Sequence, residues 1–385
     1  MTGGWRTEVV EDLPGFRRLA EEWACLYDKT PAASPFQSHA WLTSWWEHYG
    51  TPRGLRVVLV RRDGELVAAG PFHVRRVAGL PTLRALGGDI SDVSDILAVD
   101  GPDGLGGRRQ LVTALLDLPG WDVVDLPEVP PGAAAQSLVQ LWPGTAHRIP
   151  ASVMLEFPAQ SVDELVGALD GSSARSYRRR LRRAQALPLE VRPVRPEHAG
   201  DALGRLLELH RRQWAGRGMT PEHGRSRFAA HLASAVPRMI CEGQAVVLEY
   251  RVDGQLLIGS LHLLGREFLG GYIDGVAPEA RAVLDISAVT LREELRLTLE
   301  TGRPTYSMLR GEEPYKYRLR PRVVHNERRL LVRPGSVRGG LVARAAVQQA
   351  AAVRLAKRRA PGLRDVRDRI LLVARRYTSR ARDGA

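Results

Sequence analysis

Val57-Val58-Leu59-Val60-Arg61-Arg62-Asp63-Gly64-Glu65-Leu66-Val67 and Val246-Val247-Leu248-Glu249-Tyr250-Arg251-Val252-Asp253-Gly254-Gln255-Leu256-Leu257 have the same plan. In each, an aliphatic run reaches an Asp-Gly pair and turns back into a second apolar run. Asp and Gly tolerate the positive φ that a tight turn between twisted strands requires, so each segment predicts a β-hairpin. The two turns lie 190 positions apart in a chain of 385 residues. Asp-Gly hairpins are common, but both of these follow helical segments of similar pattern, and two related α/β units are the economical explanation.

Outward from the first hairpin, Arg6–Val10 reads as a strand and Pro14–Tyr27 as an amphipathic helix. Ser38 is placed to cap a helix through His48 that carries Trp41, Trp45 and Trp46. Spacing of i, i+4 is that of a buried helix face, so these tryptophans are expected in the core rather than as a sugar platform. A Gly- and Asp-rich loop, Gly87–Asp95, leads to a strand Ile96–Val99, a helix Arg108–Leu118 and a strand Val123–Leu126. The second unit reads as strand Val153–Phe157, helix Val162–Leu169 and a basic helix Ser172–Ala186, then helices Pro196–Ala215 and Glu222–Ala235. After the second hairpin come strand Phe268–Tyr272, helix Asp285–Glu300 and strands Tyr306–Leu309, Tyr315–Leu319 and Val323–Val332. The expected fold class is α/β (α+β): two tandem units with mixed central sheets, over 1–150 and 151–335, and C-terminal basic helices over 336–385. The tail helices are expected at Arg338–Arg359 and Gly362–Thr378.

Composition narrows the function. Met1–Phe16 contains Glu8, Glu11 and Asp12 and no apolar run of signal-peptide length, and no stretch is apolar for about 18 residues, so a cytoplasmic, non-spanning protein is expected. Cys25 and Cys241, the two cysteines, are too few and too far apart for a disulfide framework or zinc site and are expected as buried thiols. The net charge of +13 is concentrated: Ser336–Ala385 holds 13 Lys+Arg against 3 Asp+Glu, leaving the rest nearly neutral. The second tail helix sets Leu363, Val366 and Ile370 in a stripe flanked by arginines, a pattern suited to an anionic membrane surface or to docking on the protein body. Only Lys29, Lys316 and Lys357 are lysines among 56 basic residues, so each solitary lysine is informative.

Several segments resemble, in order, GNAT-superfamily acyltransferases of the CelD-like and Fem-type (FemAB-like) branch, in which two GNAT domains are fused. They are Pro35-Phe36-Gln37-Ser38 through Trp41, Trp45 and Trp46, and the first hairpin with Gly70-Pro71-Phe72. In the second unit they are Ser172-Ser173 with the Arg178–Arg183 helix, His210-Arg211-Arg212-Gln213-Trp214, Tyr272 with Asp274, and Leu309-Arg310-Gly311-Glu312-Glu313-Pro314-Tyr315-Lys316. The resemblance implies acyl transfer to an amine or hydroxyl of a small-molecule or glycan acceptor in cell-envelope or polysaccharide metabolism. The implied donor is acyl-CoA, usually acetyl-CoA, or aminoacyl-tRNA in the peptidoglycan-bridge relatives. The stretch corresponding to a pyrophosphate loop, Ala280–Ser287, contains no glycine and carries Asp285, which departs from an acyl-CoA cradle.

Lys316 is the first candidate, a compact charge for a donor phosphate or a developing oxyanion, and Tyr315 beside it resembles the family's aromatic–lysine pair. Glu312 is the expected general base, since Glu313 precedes a proline and is expected to point away. Arg310, Tyr272 and Asp274 are secondary substrate-binding candidates. Asp92 and Asp95 suit a cationic acceptor, against the alternative of turn and capping chemistry. Their loop lacks the ligand pattern of a calcium site, so no metal is expected. His210 is expected as a satisfied, half-buried histidine. The Arg175–Arg183 run leaves Tyr177, Leu181 and Ala184 to face the body and offers a basic face for anionic substrate or tRNA. The competing class is a non-catalytic binding protein derived from the same fold.

Overall fold

The computed structural model describes residues 4–216, 218–313 and 316–359. Asp63 and Gly64 take φ of 50° and 89°, and Asp253 and Gly254 take 49° and 77°, so both turns adopt the left-handed backbone that their residue types allow. The first half runs β1 (Trp5–Val10), α1 (Leu13–Arg18), α2 (Ala20–Lys29), α3 (His39–Tyr49), β2 (Leu55–Arg62), β3 (Glu65–Val77), β4 (Leu80–Ala85), β5 (Leu97–Ala98), α4 (Gly101–Asp117), β6 (Val123–Val129), α5 (Leu138–Leu141) and β7 (Ala146–Pro158). The second continues with α6 (Val162–Gly167), α7 (Gly171–Gln185), β8 (Leu189–Pro193), α8 (Ala199–Trp214), α9 (Ser226–Cys241), β9 (Ala245–Val252), β10 (Gln255–Leu264), β11 (Leu269–Val276), α10 (Ala280–Val283), α11 (Ile286–Glu300), β12 (Thr305–Arg310), β13 (Arg322–Val332) and α12 (Val337–Arg359).

All thirteen strands join one sheet in the order β1-β2-β3-β4-β6-β13-β7-β12-β11-β10-β9-β8, with β5 added on β3. The order exposes a repeat. In each half, helices separate the first two strands, an Asp-Gly hairpin joins the second and third, and a helical crossover links the fourth to a parallel fifth, as β4–β6 and β11–β12. The last strand of each half then crosses into the other: β7 pairs with β12, β13 pairs with β6, and the two pair with each other at the centre. The boundary expected near residue 150 falls inside β7.

Helices cover both faces. On one, α1–α3 meet α8 and α9 over a shared core that includes Trp41 (0% exposed), Phe228 and Leu261. Helix α3 begins where Ser38 Oγ accepts the Trp41 N–H, and Trp41, Trp45 and Trp46 are buried as their spacing predicts. On the other face α4 and α5 lie over the first half, around Phe72, Leu111 and Leu126. Helices α6, α7 and α11 lie over the second, around Tyr177, Leu181, Leu291 and Leu295. Each such side chain contributes roughly 2 kcal/mol by leaving water. In α7, Tyr177, Leu181 and Ala184 face inward and Arg175, Arg178, Arg179, Arg182 and Arg183 are exposed.

Several expectations are corrected. Lys316–Leu319 forms a 3-10 turn instead of a strand, because the Lys316 N–H donates back to the Glu313 carbonyl. Helix α4 starts at Gly101 rather than Arg108; glycine is a poor helix former, but a Cβ at Gly104 would sit 1.7 Å from the Val99 carbonyl oxygen, so close packing on the sheet requires it. Cys25 and Cys241 are exposed: the buried residues of α2 are Trp23, Leu26 and Tyr27, and Cys241 is the last residue of α9, beyond buried Met239. Strands β4 and β8 are additional to the expected elements. The first tail helix forms as α12, with Ala343 against Ile149, Leu330 and Val332, whereas the second expected helix, Gly362–Thr378, lies outside the described residues.

Candidate active site

The parallel strands β11 and β12 pair only at Leu269–Tyr306 and Gly270–Ser307. Beyond that, β12 is irregular against β7: Leu309 takes a φ of 50°, its N–H held by Ser307 Oγ at 3.2 Å, and the register shifts before Arg310. A leucine in left-handed backbone is strained, and such strain persists where the surroundings fix it. Over this pair lies α11, whose inner face is apolar through Ala288, Leu291 and Leu295 but also buries Glu293, Glu294 and Thr298. Glu293 is answered by Arg292 at 2.8 Å and Arg296 at 2.7 Å. Glu294 is not ion-paired in this way; it hydrogen-bonds with the Tyr306 hydroxyl. Both lie against Gly271, where a Cβ would come 3.2 Å from Tyr306 Oη and 3.4 Å from Glu294 Oε1, so glycine makes room for the pair.

Asp274, on β11, is the second carboxylate of this cluster. Burial pushes it upward from the ordinary carboxylate range, and the Lys316 ammonium opposes the shift. Burial and then the charge of Asp274 push Glu294 upward, with the Tyr306 hydrogen bond and Lys316 opposing. Two acids that cannot both ionise cheaply therefore face one ammonium, an arrangement in which a proton is retained near neutrality. Lys316 itself is largely covered and pairs with Glu313 at 2.8 Å. Opposite Asp274 on β10 stands Ser260, whose Oγ is 2.8 Å from His262 Nε2; both are fully buried, and burial holds His262 down at about 4. The Tyr250 hydroxyl lies beside Ser260 and is pushed up by burial and by the charges of Glu294 and Asp274.

The other expected site residues are placed elsewhere. Arg310 binds Asp92, reaches Glu128 at 3.4 Å and donates to the Asp89 carbonyl at 3.0 Å, so it fastens the second half to the first. Asp92 is thereby committed to an ion pair. Asp95 is 2% exposed and accepts the N–H groups of Ile96, Ala134 and Ala135 at 2.7–3.0 Å; burial pushes it up to about 7, and it serves capping rather than a cationic acceptor. Tyr272 donates to the Ile90 carbonyl at 2.8 Å and packs on Phe36 and Trp41, a role between the halves. Glu312 is exposed, and Glu313 pairs with Lys316 at 2.8 Å. Tyr315 lies outside the described residues. His210 is buried and satisfied, its Nδ1 2.7 Å from the Asp274 carbonyl. Glu294 had not been anticipated; its signal was a carboxylate three positions after Leu291 and four before Thr298, inside a buried stripe.

The start of α11, where the family resemblance sets the pyrophosphate loop, is capped from within. Asp285 accepts the Ala288 N–H at 3.1 Å and lies 3.5 Å from Arg180 of α7. One backbone donor is thus taken by the chain's own carboxylate, whose charge also opposes a phosphate. No group of side chains able to hold a metal ion is present among the described residues.

Residues 171–317 match the sequence family described as Acetyltransferase (GNAT) domain. No curated protein matches the chain. Among solved structures, FemX superposes with a TM-score of 0.59 at 12% identity, over 81% of this chain and 96% of that one. A conserved protein of unknown function from Bacteroides thetaiotaomicron gives 0.56 at 11% identity, over 85% and 100%. The C-terminal domain of a putative lysylphosphatidylglycerol synthetase from Agrobacterium fabrum gives 0.51 at 12% identity, over 86% and 96%. At such identities the structures speak for the fold, while the match of the second half speaks for its sequence. Residues 171–317 thus carry the sequence pattern of a GNAT acetyltransferase domain, and the chain as a whole shares its fold with FemX and the other two structures.

Proposed function

We propose that the protein is an acyltransferase whose reacting centre is Asp274, Glu294 and Lys316 beneath α11. The observation that carries the reading is the pair of carboxylates, Glu294 buried and Asp274 partly covered, both raised, facing a single ammonium. An acceptor amine must lose a proton before its lone pair attacks an acyl carbon. Asp274, as carboxylate, takes that proton as the C–N bond forms; Glu294, the more strongly raised of the two, stays protonated throughout and donates a hydrogen bond to the oxyanion. Lys316 supplies positive charge to the same oxyanion. When the donor's C–S or C–O bond breaks, the proton on Asp274 passes to the leaving group. Arg310, Asp92 and Tyr272 hold the two halves, 1–150 and 151–335 in this proposal, in register.

Acetyl-CoA is the donor that the family resemblance implies, but the Asp285-capped, glycine-free start of α11 does not fit a pyrophosphate held in the ordinary way. The exposed arginines of α7, joined to that helix start through Arg180–Asp285, favour a second donor class rich in phosphate, aminoacyl-tRNA. The acceptor class, a cell-envelope or polysaccharide amine or hydroxyl, rests on the likeness to the CelD-like and Fem-type branch, as does a cytoplasmic setting. The basic tail as an anchor on anionic lipid belongs to the same proposal; no helix among the described residues is long and apolar enough to cross a membrane.

The test presents acetyl-CoA, longer acyl-CoA and charged tRNA separately, following thermal unfolding and donor consumption in the natural chain and in Glu294→Gln. A donor that raises Tm and is consumed only by the natural chain supports the reading. Binding without consumption by either chain would make this a binding protein instead.

A further inference from the structure

A second concavity, of about 280 Å³, opens at the starting ends of β11 and β12, where the end of α2 meets the α9–β9 and β10–β11 connections. Two polar atoms of its lining have no partner among the described residues. Tyr27 is 4% exposed, yet its hydroxyl makes no hydrogen bond among the described residues, and neither does the buried Oε1 of Gln244. Arg303 is fixed beside them: Nε donates to the Gly265 carbonyl at 2.9 Å and Nη1 to the Thr301 carbonyl at 2.7 Å, and among the described residues Nη2 makes no hydrogen bond. Its charge is felt at the Tyr27 hydroxyl. Glu242, exposed, lines the same space.

A buried donor and a buried acceptor left unpaired cost stability, so native structures seldom keep them without a partner. The donors, Tyr27 O–H and the Arg303 guanidinium, call for a carboxylate; the acceptors, Gln244 Oε1 and the Glu242 carboxylate, call for an ammonium. An apolar molecule would satisfy neither set, and a simple anion only one. We infer that this concavity binds a free α-amino acid, its carboxylate on Tyr27 and Arg303 and its ammonium on Gln244 and Glu242. The site is separate from the Asp274–Glu294–Lys316 cluster and does not depend on the reaction proposed for it.

Isothermal titration of the full chain with glycine, L-alanine and L-glutamine, with acetate and methylammonium as half-ligands, tests this. At least one amino acid is expected to bind saturably, with each half-ligand weaker by about tenfold or more, since each loses one charge-assisted set of contacts. Tyr27→Phe, which keeps the packed ring, and Gln244→Leu are each expected to weaken binding about tenfold. The inference is overturned if no amino acid binds, if acetate binds as tightly as the best of them, or if both variants bind like the natural chain. Binding lost in Glu294→Gln but kept in Tyr27→Phe would place the amino acid under α11 and overturn it as well.

Discussion

The parallel pairs β4–β6 and β11–β12 occupy matching places in the two halves, and each is joined by a helical crossover, through α4 in the first and through α10 and α11 in the second. Their charges are arranged differently. At the first, Asp125 is 1% exposed and is met by Arg84 at 3.3 Å and by Arg328 at 2.7 and 2.9 Å. At the second, Asp274 and Glu294 face one lysine that is itself shared with Glu313. The same backbone frame is therefore neutralised by arginines in one half and left electrically unbalanced in the other. A fold locates a cleft, but unpaired charge held out of water marks the one where chemistry is prepared.

The largest expected contrast is in turnover. Asp274→Asn or Glu294→Gln should lower kcat by about 10²–10⁴-fold, the range for removing a general acid or base, while circular dichroism shows the fold intact. Asp125→Asn, measured in the same assay, should leave the kcat of folded protein unchanged. Equal loss in both halves would end the distinction between them. Lys316→Ala should cost roughly 10²-fold, as for one oxyanion contact, and Lys316→Arg should not restore it, because a planar fork does not replace a compact charge.

Stability should respond the other way round. Asp125→Asn strands Arg84 and Arg328 beside a buried position and should cost about 3 kcal/mol in urea unfolding, whereas Asp274→Asn, which relieves repulsion, should cost far less or stabilise. A smaller loss for Asp125→Asn than for Asp274→Asn would contradict the account of the first half.

Dependence on pH sharpens the same point. Asp274 and Glu294 have folded values above the unfolded carboxylate value of about 4, so the stability they contribute is complete below that pH and is lost as pH rises through the raised values. Tm should therefore fall over that window, and Glu294→Gln should flatten the fall. In the same window kcat/KM should rise as Asp274 ionises, with a midpoint well above 4 that moves down in Glu294→Gln. A midpoint at the ordinary carboxylate value in the natural chain would remove the role assigned to burial.

The smallest contrast compares the two crossover helices. Asp285 caps α11 through the Ala288 N–H, whereas the side chain of Asp100 makes no capping bond to α4. Asp285→Ala should cost about 1 kcal/mol and Asp100→Ala only a few tenths, as read from thermal melts. A large loss at Asp100 would show that the helix starts are more alike than their hydrogen bonds.

Residues differ in how legible they were. Lys316 stood out because lysine is rare in an arginine-rich chain, and Asp274 entered through a family resemblance. Glu294 did not, because Arg292-Glu293-Glu294 reads as the solvated side of a helix until its place between Leu291 and Thr298 is weighed. Glu312 looked suitable beside Lys316, but adjacency in sequence does not say how a side chain turns; Glu312 is exposed, and the neighbouring Glu313 pairs with Lys316.

By itself the sequence determined what depends on neighbours along the chain: both Asp-Gly turns, the Ser38-capped tryptophan helix, the inner stripe of α7 and the repeated order of helices and strands. These follow from backbone conformation and from periods of two and 3.6 residues, which a short window contains. Only the tertiary structure decided the exchange of β7 and β13, the inward turn of Asp95, the pairing of Arg310 with Asp92 218 positions away, and the meeting of Asp274, Glu294 and Lys316. Those depend on burial and on charges brought together from distant segments, and no local period encodes which carboxylate loses its water and which keeps a counter-ion.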